Sequence, residues 1–251
     1  MTIMRILFIN PNTSEEFTNR IQEIAQQYAF PGTEVVAMNP ASGPRSIESI
    51  YDELLSAAGT LELLISELDN FDAFVIACYS DHPTIYAARE ITDKPVLGIA
   101  EASMYLACMV GRKFSIVTTN DEWEPLLWDA VHHYGLTGRC ASVRTTGMAV
   151  LDLEAGGEQD TFSLILTGAR QAIETDGAEV ICLGCAGMAG LDKQLEESLG
   201  APVIDGVVGA LKLLEGMLSY GLHTSKRLAY ATPARKELLN LPAIFARPYR
   251  S

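Results

Sequence analysis

The chain has 251 residues, 48% of them hydrophobic, and sets 18 Lys and Arg against 32 Asp and Glu for a formal net charge of −14. That apolar content builds sizeable cores, no apolar run approaches the ~20 residues of a membrane-crossing helix, and the acidic field repels nucleic acid and anionic membranes. Five cysteines, with Met4-Arg5 leading directly into a short apolar strand rather than a signal peptide, suit a reducing, cytoplasmic setting and argue against a disulfide framework.

In chain order, Arg5-Ile6-Leu7-Phe8-Ile9 reads as a strand closing on the polar loop Asn10-Pro11-Asn12-Thr13-Ser14. A helix is expected over 14–28, with Thr13 or Ser14 as its cap ahead of Glu15-Glu16, and a short strand over 35–38. The stretch Asn39-Pro40-Ala41-Ser42-Gly43-Pro44-Arg45-Ser46 is too punctuated for a regular element and reads as a lid or cleft loop. An amphipathic helix follows over 50–68, its apolar face made by Ile50, Leu54, Ala57, Leu61, Leu64 and Leu68.

Phe74-Val75-Ile76-Ala77-Cys78-Tyr79-Ser80-Asp81-His82-Pro83 is an apolar run passing directly into helix-start chemistry. Ser80 or Asp81 suits the N-cap and Pro83 the first turn, which places Cys78 where a helix N-terminus stabilises a thiolate. A helix through Ala87-Ala88-Arg89-Glu90, a strand over 96–99 and an apolar helix containing Cys108 complete the first half. The second half repeats the alternation: strands over 114–117, 180–183 and 203–204, helices over 123–134, 161–175 and 207–220. Such alternation specifies parallel sheets covered by helices. The tail from Thr224 carries Lys226, Arg227, Arg235, Lys236, Arg247 and Arg250 and reads as a solvated strap that returns to the first half.

The halves keep register. Cys78 and Cys185 are 107 positions apart, as are Pro95 and Pro202, and the strand at Arg5 is matched by Lys113-Phe114-Ser115-Ile116-Val117-Thr118 at a shift of 108. An internal duplication would bring a polar loop and a cysteine from each half to the carboxyl ends of the strands, so that two thiols flank one cleft.

Other candidates have plainer readings. Cys182-Leu183-Gly184-Cys185 matches a Cys-x-x-Cys redox or zinc pattern, but residues three apart on a strand point to opposite faces. The four histidines show no ligand spacing, so no metal is expected. Cys108, Cys140 and Cys182 read as structural, His82 as a helix-start residue, His132-His133 as a C-terminal charge complement, and Trp123 and Trp128 as packing. No Gly-x-Gly-x-x-Gly or phosphate loop supports a nucleotide; Gly156-Gly157 sits in a polar stretch.

Phe8-Ile9-Asn10-Pro11-Asn12-Thr13-Ser14, Ser46-Ile47-Glu48, Ile76-Ala77-Cys78, Ala87-Ala88-Arg89-Glu90, Gly98-Ile99-Ala100-Glu101-Ala102, Phe114-Ser115-Ile116-Val117-Thr118-Thr119, Leu183-Gly184-Cys185-Ala186-Gly187-Met188 and Pro202-Val203-Ile204-Asp205-Gly206 together resemble the hydantoin and allantoin racemases of the aspartate/glutamate racemase superfamily. The resemblance implies a cofactor-independent racemase with two pseudo-symmetric α/β domains, a cysteine from each at the interdomain cleft, and assembly into homo-oligomers. It also implies a small-molecule substrate and a place in purine catabolism. Its domain boundaries are 1–100 with the returning segment 207–251, and 101–206. Cys78 and Cys185 then resemble the two acid/base thiols. Asn10, Asn12, Ser46, Tyr79, Ser80, Thr118, Thr119, Ala186, Gly187 and Met188 resemble the groups that hold substrate. Tyr79-Ser80 departs from the expected aromatic residue followed by glycine.

The residues leave three other readings open: a two-cysteine cis–trans isomerase of a small diacid, an aspartate or glutamate racemase, and a binding protein with inert thiols. Amide and hydroxyl side chains without a carboxylate clamp favour a neutral cyclic ureide. Donors at Tyr79 and Ser80 tilt the choice within that class toward allantoin.

Overall fold

The computed structural model describes residues 3–155 and 158–249, so Gly156, Gly157 and Arg250 lie outside the described residues. The first half runs β1 (Met4–Ile9), α1 (Glu15–Tyr28), β2 (Thr33–Met38), α2 (Ile50–Glu67), β3 (Ala73–Ile76), α3 (Pro83–Ile91), β4 (Val96–Gly98) and α4 (Ile99–Val110). The second runs β5 (Phe114–Thr118), α5 (Trp123–His133), β6 (Cys140–Thr145), α6 (Asp152–Ala155), α7 (Glu158–Glu174), β7 (Val180–Leu183), α8 (Asp192–Leu199), β8 (Val203–Ile204) and α9 (Gly206–Tyr220). Each half forms a four-stranded parallel sheet, β2-β1-β3-β4 and β6-β5-β7-β8. These are one topology used twice, the α/β architecture expected from the duplicated sequence.

Alternate residues of the first sheet feed different cores. Ile6, Phe8, Ala73 and Val75 join one buried cluster, while Leu7, Ile9, Phe74 and Ile76 join another on the opposite face. A strand buried on both faces is therefore apolar throughout. The halves are joined by an exchange of helices. α4, which follows the first sheet, packs on β7 of the second; α9, which follows the second sheet, packs on β1 and β3 of the first; and the two helices pack on each other. Their side chains merge both halves into one core containing Phe8, Met104, Phe114 and Leu211.

Hydroxyl and carboxylate residues cap α1, α2 and α9. Ser14 accepts from the Phe17 amide at 3.2 Å, and Ser49 accepts from the Asp52 amide at 3.2 Å. Asp205 caps α9 through the Val207 amide at 2.8 Å and braces the loop before α8 through the Gly190 amide at 2.8 Å.

Several expectations need correction. The cap of α3 is neither Ser80 nor Asp81 but His82, whose Nδ1 accepts from the Thr84 amide at 3.3 Å while Nε2 pairs with Ser56 Oγ at 2.9 Å. Burial lowers the His82 pKa to about 4, so its ring stays neutral and keeps an acceptor for the cap. Asp81 instead turns toward the second half, accepting from the Tyr134 hydroxyl at 2.9 Å. The buried face of α2 is Ser56, Thr60, Leu64 and Ile65, with Ile50 and Leu54 exposed. Ser56 and Thr60 satisfy their own hydroxyls on the helix carbonyls of Glu53 and Ser56, at 2.8 Å each, so small polar residues pack inward where hydropathy places them outside. β6, an edge strand with mixed composition, and the short α8 were not anticipated.

The tail is more than a solvated strap. The Lys226 ammonium reaches the carbonyls of Arg89, Glu90 and Thr92 at 2.8, 2.6 and 3.2 Å, and Arg247 reaches that of Ile65 at 2.9 Å. Both cations thus complement the ends of α3 and α2, where unpaired carbonyls gather negative charge. No helix among the described residues is long and apolar enough to cross a membrane.

Candidate active site

In a sheet of order 2-1-3-4 the chain leaves the middle pair of strands in opposite directions, opening a crevice at their carboxyl ends. Both halves present that crevice to the same cleft. β1 delivers Asn10 and Asn12, β3 delivers Cys78 and Tyr79, β5 delivers Thr119, and β7 delivers Gly184, Cys185, Ala186 and Gly187. Phe17, Ile47, Ala77, Trp123 and Val150 complete the lining. The cleft encloses about 440 Å³ of atom-free space, open solvent at its mouth included.

Cys78 and Cys185 each keep part of their surface open to this space, whereas Cys140 and Cys182 are buried elsewhere and Cys108 is partly buried outside the cleft. All five are free thiols. Cys182 Sγ faces the Ser103 carbonyl at 3.7 Å, in the core, which separates it from Cys185 and leaves the Cys-x-x-Cys pattern without a shared site.

The helix-start placement does not make ready thiolates. Burial pushes the Cys185 thiol up to about 11, partly offset by the Gly187 amide and the Arg20 guanidinium and reinforced by Glu48. Cys78 is pushed higher still, by burial first and then by the Glu53 carboxylate, and is eased only by a hydroxyl hydrogen bond from Ser80 at 3.4 Å. Desolvation outweighs the helix dipole here because the thiols lie inside protein, and the turn after Cys185 is a single 3₁₀ turn over Ala186–Met188. Of the pair, Cys185 ionises first.

Other expected ligand groups prove to be spent on the scaffold. The Asn10 amide donates to Asn12 Oδ1 at 2.8 Å, the Ser14 carbonyl at 3.1 Å and Thr18 Oγ1 at 3.0 Å, bracing the turn after β1. Asn12 Nδ2 makes no hydrogen bond among the described residues and is the freer donor of the two. Thr118 gives its hydroxyl to the Gly184 carbonyl at 2.8 Å, locking the Cys185 loop onto β5. The Tyr79 ring lines the cleft, but its hydroxyl pairs with Ser103 Oγ at 2.8 Å in the core. Ser46 bonds Glu48 at 2.8 Å, and Ser46, Ser80, Thr118 and Met188 are not among the lining residues. The donors at Tyr79 and Ser80 that tilted the substrate toward allantoin are thus committed elsewhere.

Phe17, Ile47, Trp123 and Val150 were not anticipated as lining. Trp123 opens α5 just past the β5 loop, so its position at the carboxyl end of a strand was visible in the sequence, but its inward orientation was not. The loop at Gly184 tolerates no side chain: a β-carbon there would lie 2.7 Å from Thr118 Cβ and 2.8 Å from the Val117 carbonyl.

Two parallel-sheet halves of one topology, closing on a single cleft from their carboxyl ends, put the chain among the two-domain α/β racemases. The family model Asp/Glu/Hydantoin racemase matches residues 6–214. The chain is 46% identical to a hydantoin racemase of Pseudomonas sp. (strain NS671), over 97% of this chain and 98% of that protein. Allantoin racemase from Klebsiella pneumoniae superposes with a TM-score of 0.90 at 40% identity, covering 98% of this chain and 99% of that one. Allantoin racemase from Pseudomonas fluorescens gives 0.91 at 41% identity, covering 94% and 100%. The chain belongs to the Asp/Glu/Hydantoin racemase family and is an isomerase.

Alkylation at mildly alkaline pH followed by peptide mapping is expected to label Cys185 ahead of Cys78, and a cleft ligand is expected to protect both, because only they open to the cleft. Labelling of Cys108 is expected to be indifferent to ligand. Dominant, ligand-sensitive labelling of Cys182 would restore the Cys-x-x-Cys reading.

Proposed function

We propose that this chain racemises a five-membered cyclic ureide, a 5-substituted hydantoin or allantoin, by taking the proton from one face of the stereocentre and returning one to the other through Cys78 and Cys185. The observation that supports the reading is the lining: a thiol from each half, and no charged side chain among the described lining residues. An amino acid or a diacid brings charges that are costly to bury unpaired, and this cleft offers them no counter-charge. That favours the ureide over the amino-acid racemase and the diacid cis–trans isomerase.

A thiolate removes the ring hydrogen flanked by a carbonyl and a ureido nitrogen, and the electron pair moves onto the carbonyl oxygen as an enolate. The thiol on the opposite face then gives its proton to the same carbon, leaving the enantiomer and two cysteines of exchanged protonation state. The developing oxyanion needs hydrogen-bond donors. Asn12 Nδ2 and the Ala186 amide are the groups available for it, the Thr119 hydroxyl being given to Asn120 Oδ1 at 3.2 Å and the Gly187 amide to the Cys185 thiol.

Within the class, Phe17, Ile47, Trp123 and Val150 favour an apolar 5-substituent, and hence an alkyl or arylalkyl hydantoin. Allantoin is the second reading, carried by the free amide donor of Asn12 and by the likeness to two allantoin racemases. The test is loss of optical rotation from single enantiomers of an alkyl hydantoin, allantoin and aspartate at equal concentration. Both ureides are expected to turn over, the hydantoin faster. Fastest turnover of aspartate overturns the class, and fastest turnover of allantoin overturns only the choice within it.

A further inference from the structure

Adjoining the cleft lies a second cavity lined by Glu53, Ser80, Asp81, Trp123, Asp129 and His133 among others. Trp123 is common to both spaces, and Ser80 stands between Cys78 and the second one. The Ser80 hydroxyl donates to Cys78 Sγ at 3.4 Å and lies close enough to the Glu53 carboxylate to favour its ionised form. Glu53 Oε1 is buried with no hydrogen-bond partner among the described residues, an unusual state for a carboxylate oxygen that serves only structure.

We infer that Glu53 is the positioning residue that exchanges the proton of Cys78 with solvent, through the Ser80 hydroxyl and the second cavity. The inference rests on the two-thiol reading above. Each turnover leaves Cys78 in the wrong protonation state for another substrate of the same hand, and its side of the cleft stays covered while product is bound. When Cys78 is left as thiolate, Ser80 passes its hydroxyl proton to sulfur and takes one from the Glu53 carboxyl. The resulting carboxylate recovers a proton from water in the second cavity. When Cys78 is left as thiol the same three transfers run backwards, and in either case Cys185 exchanges its compensating proton with water at the mouth of the cleft, so the site returns to its starting charge. Burial suits Glu53 to this role, since it raises the carboxyl pKa, helped by Asp81 and countered by Ser80, and so lets the side chain hold a proton closer to neutrality. The other titratable groups facing the relay are Asp81 on its own loop, Asp129 and His133 on α5, and Cys185 across the cleft.

Glu53→Gln keeps the shape and removes the proton carrier. A recycling step limits turnover at saturation and not capture of substrate, so kcat is expected to fall at least about tenfold in both directions while kcat/KM falls in neither. Loss of the carboxylate beside Cys78 is also expected to raise the rate of Cys78 alkylation at one fixed, mildly alkaline pH by about tenfold, a change that needs no substrate. Ser80→Ala, a second break in the same relay, is expected to reproduce the kcat loss. Unchanged kcat in either folded variant, an equal fall in kcat and kcat/KM, or an unchanged rate of Cys78 alkylation in Glu53→Gln overturns the inference. A wild-type protein inactive on every ureide would instead defeat the functional reading, and the alkylation rate alone then decides whether Glu53 acts on Cys78.

Discussion

Cys78→Ser and Cys185→Ser are each expected to lower racemisation of a single ureide enantiomer by about 10²–10⁴-fold, the usual worth of a placed acid or base. Serine is close to cysteine in size, and both thiols sit at a cleft surface rather than in a sealed core, so the fold and the melting temperature are expected to change little. The distinguishing readout is hydrogen exchange. Each single variant keeps a proton carrier on one face, so in deuterated water it is expected to exchange the ring hydrogen of one enantiomer without inverting it. Near-normal racemisation by either folded variant would overturn the two-thiol mechanism.

The second large effect is on pH. Cys185 is held up to about 11 by burial, so the neutral thiol persists through neutrality and the thiolate is gained only as pH rises. Below its pKa an acid gains about tenfold in ionised form per pH unit, so kcat/KM is expected to climb by about 10³ between pH 7 and pH 10, once uncatalysed racemisation is subtracted. Cys78 is pushed higher and remains the proton-donating thiol through this window. The Arg20 guanidinium, held at the Ala189 carbonyl at 3.0 Å, eases ionisation of Cys185, so Arg20→Gln is expected to move the rising limb to higher pH. A profile flat from pH 7 to 10 would show that the free enzyme already holds a thiolate.

These expectations invert one drawn from the sequence. A cysteine placed before a helix reads as an activated thiol, because the pattern reveals the dipole and conceals the burial. The same blindness explains the ligand groups. Thr118 and Tyr79 stand at strand ends and carry hydroxyls, which is visible in the chain; that one hydroxyl bonds Gly184 and the other Ser103 depends on where distant backbone folds back. His82, one residue beyond the expected caps, took the role because Ser56 on α2 could hold its other nitrogen.

What the sequence determined by itself was the architecture and the pairing of the thiols. Apolar strands such as Phe74-Val75-Ile76 bury both faces, polar loops must lie at their ends, and a duplication in register, Cys78 with Cys185 and Pro95 with Pro202, can only repeat one topology. Those are properties of local period and spacing. The tertiary structure alone decided which side chains face the cleft and what charge they carry. Side-chain partners such as Ser103 for Tyr79 and Ser56 for His82 come from other elements, and desolvation is a property of everything packed around a group rather than of its neighbours in the chain.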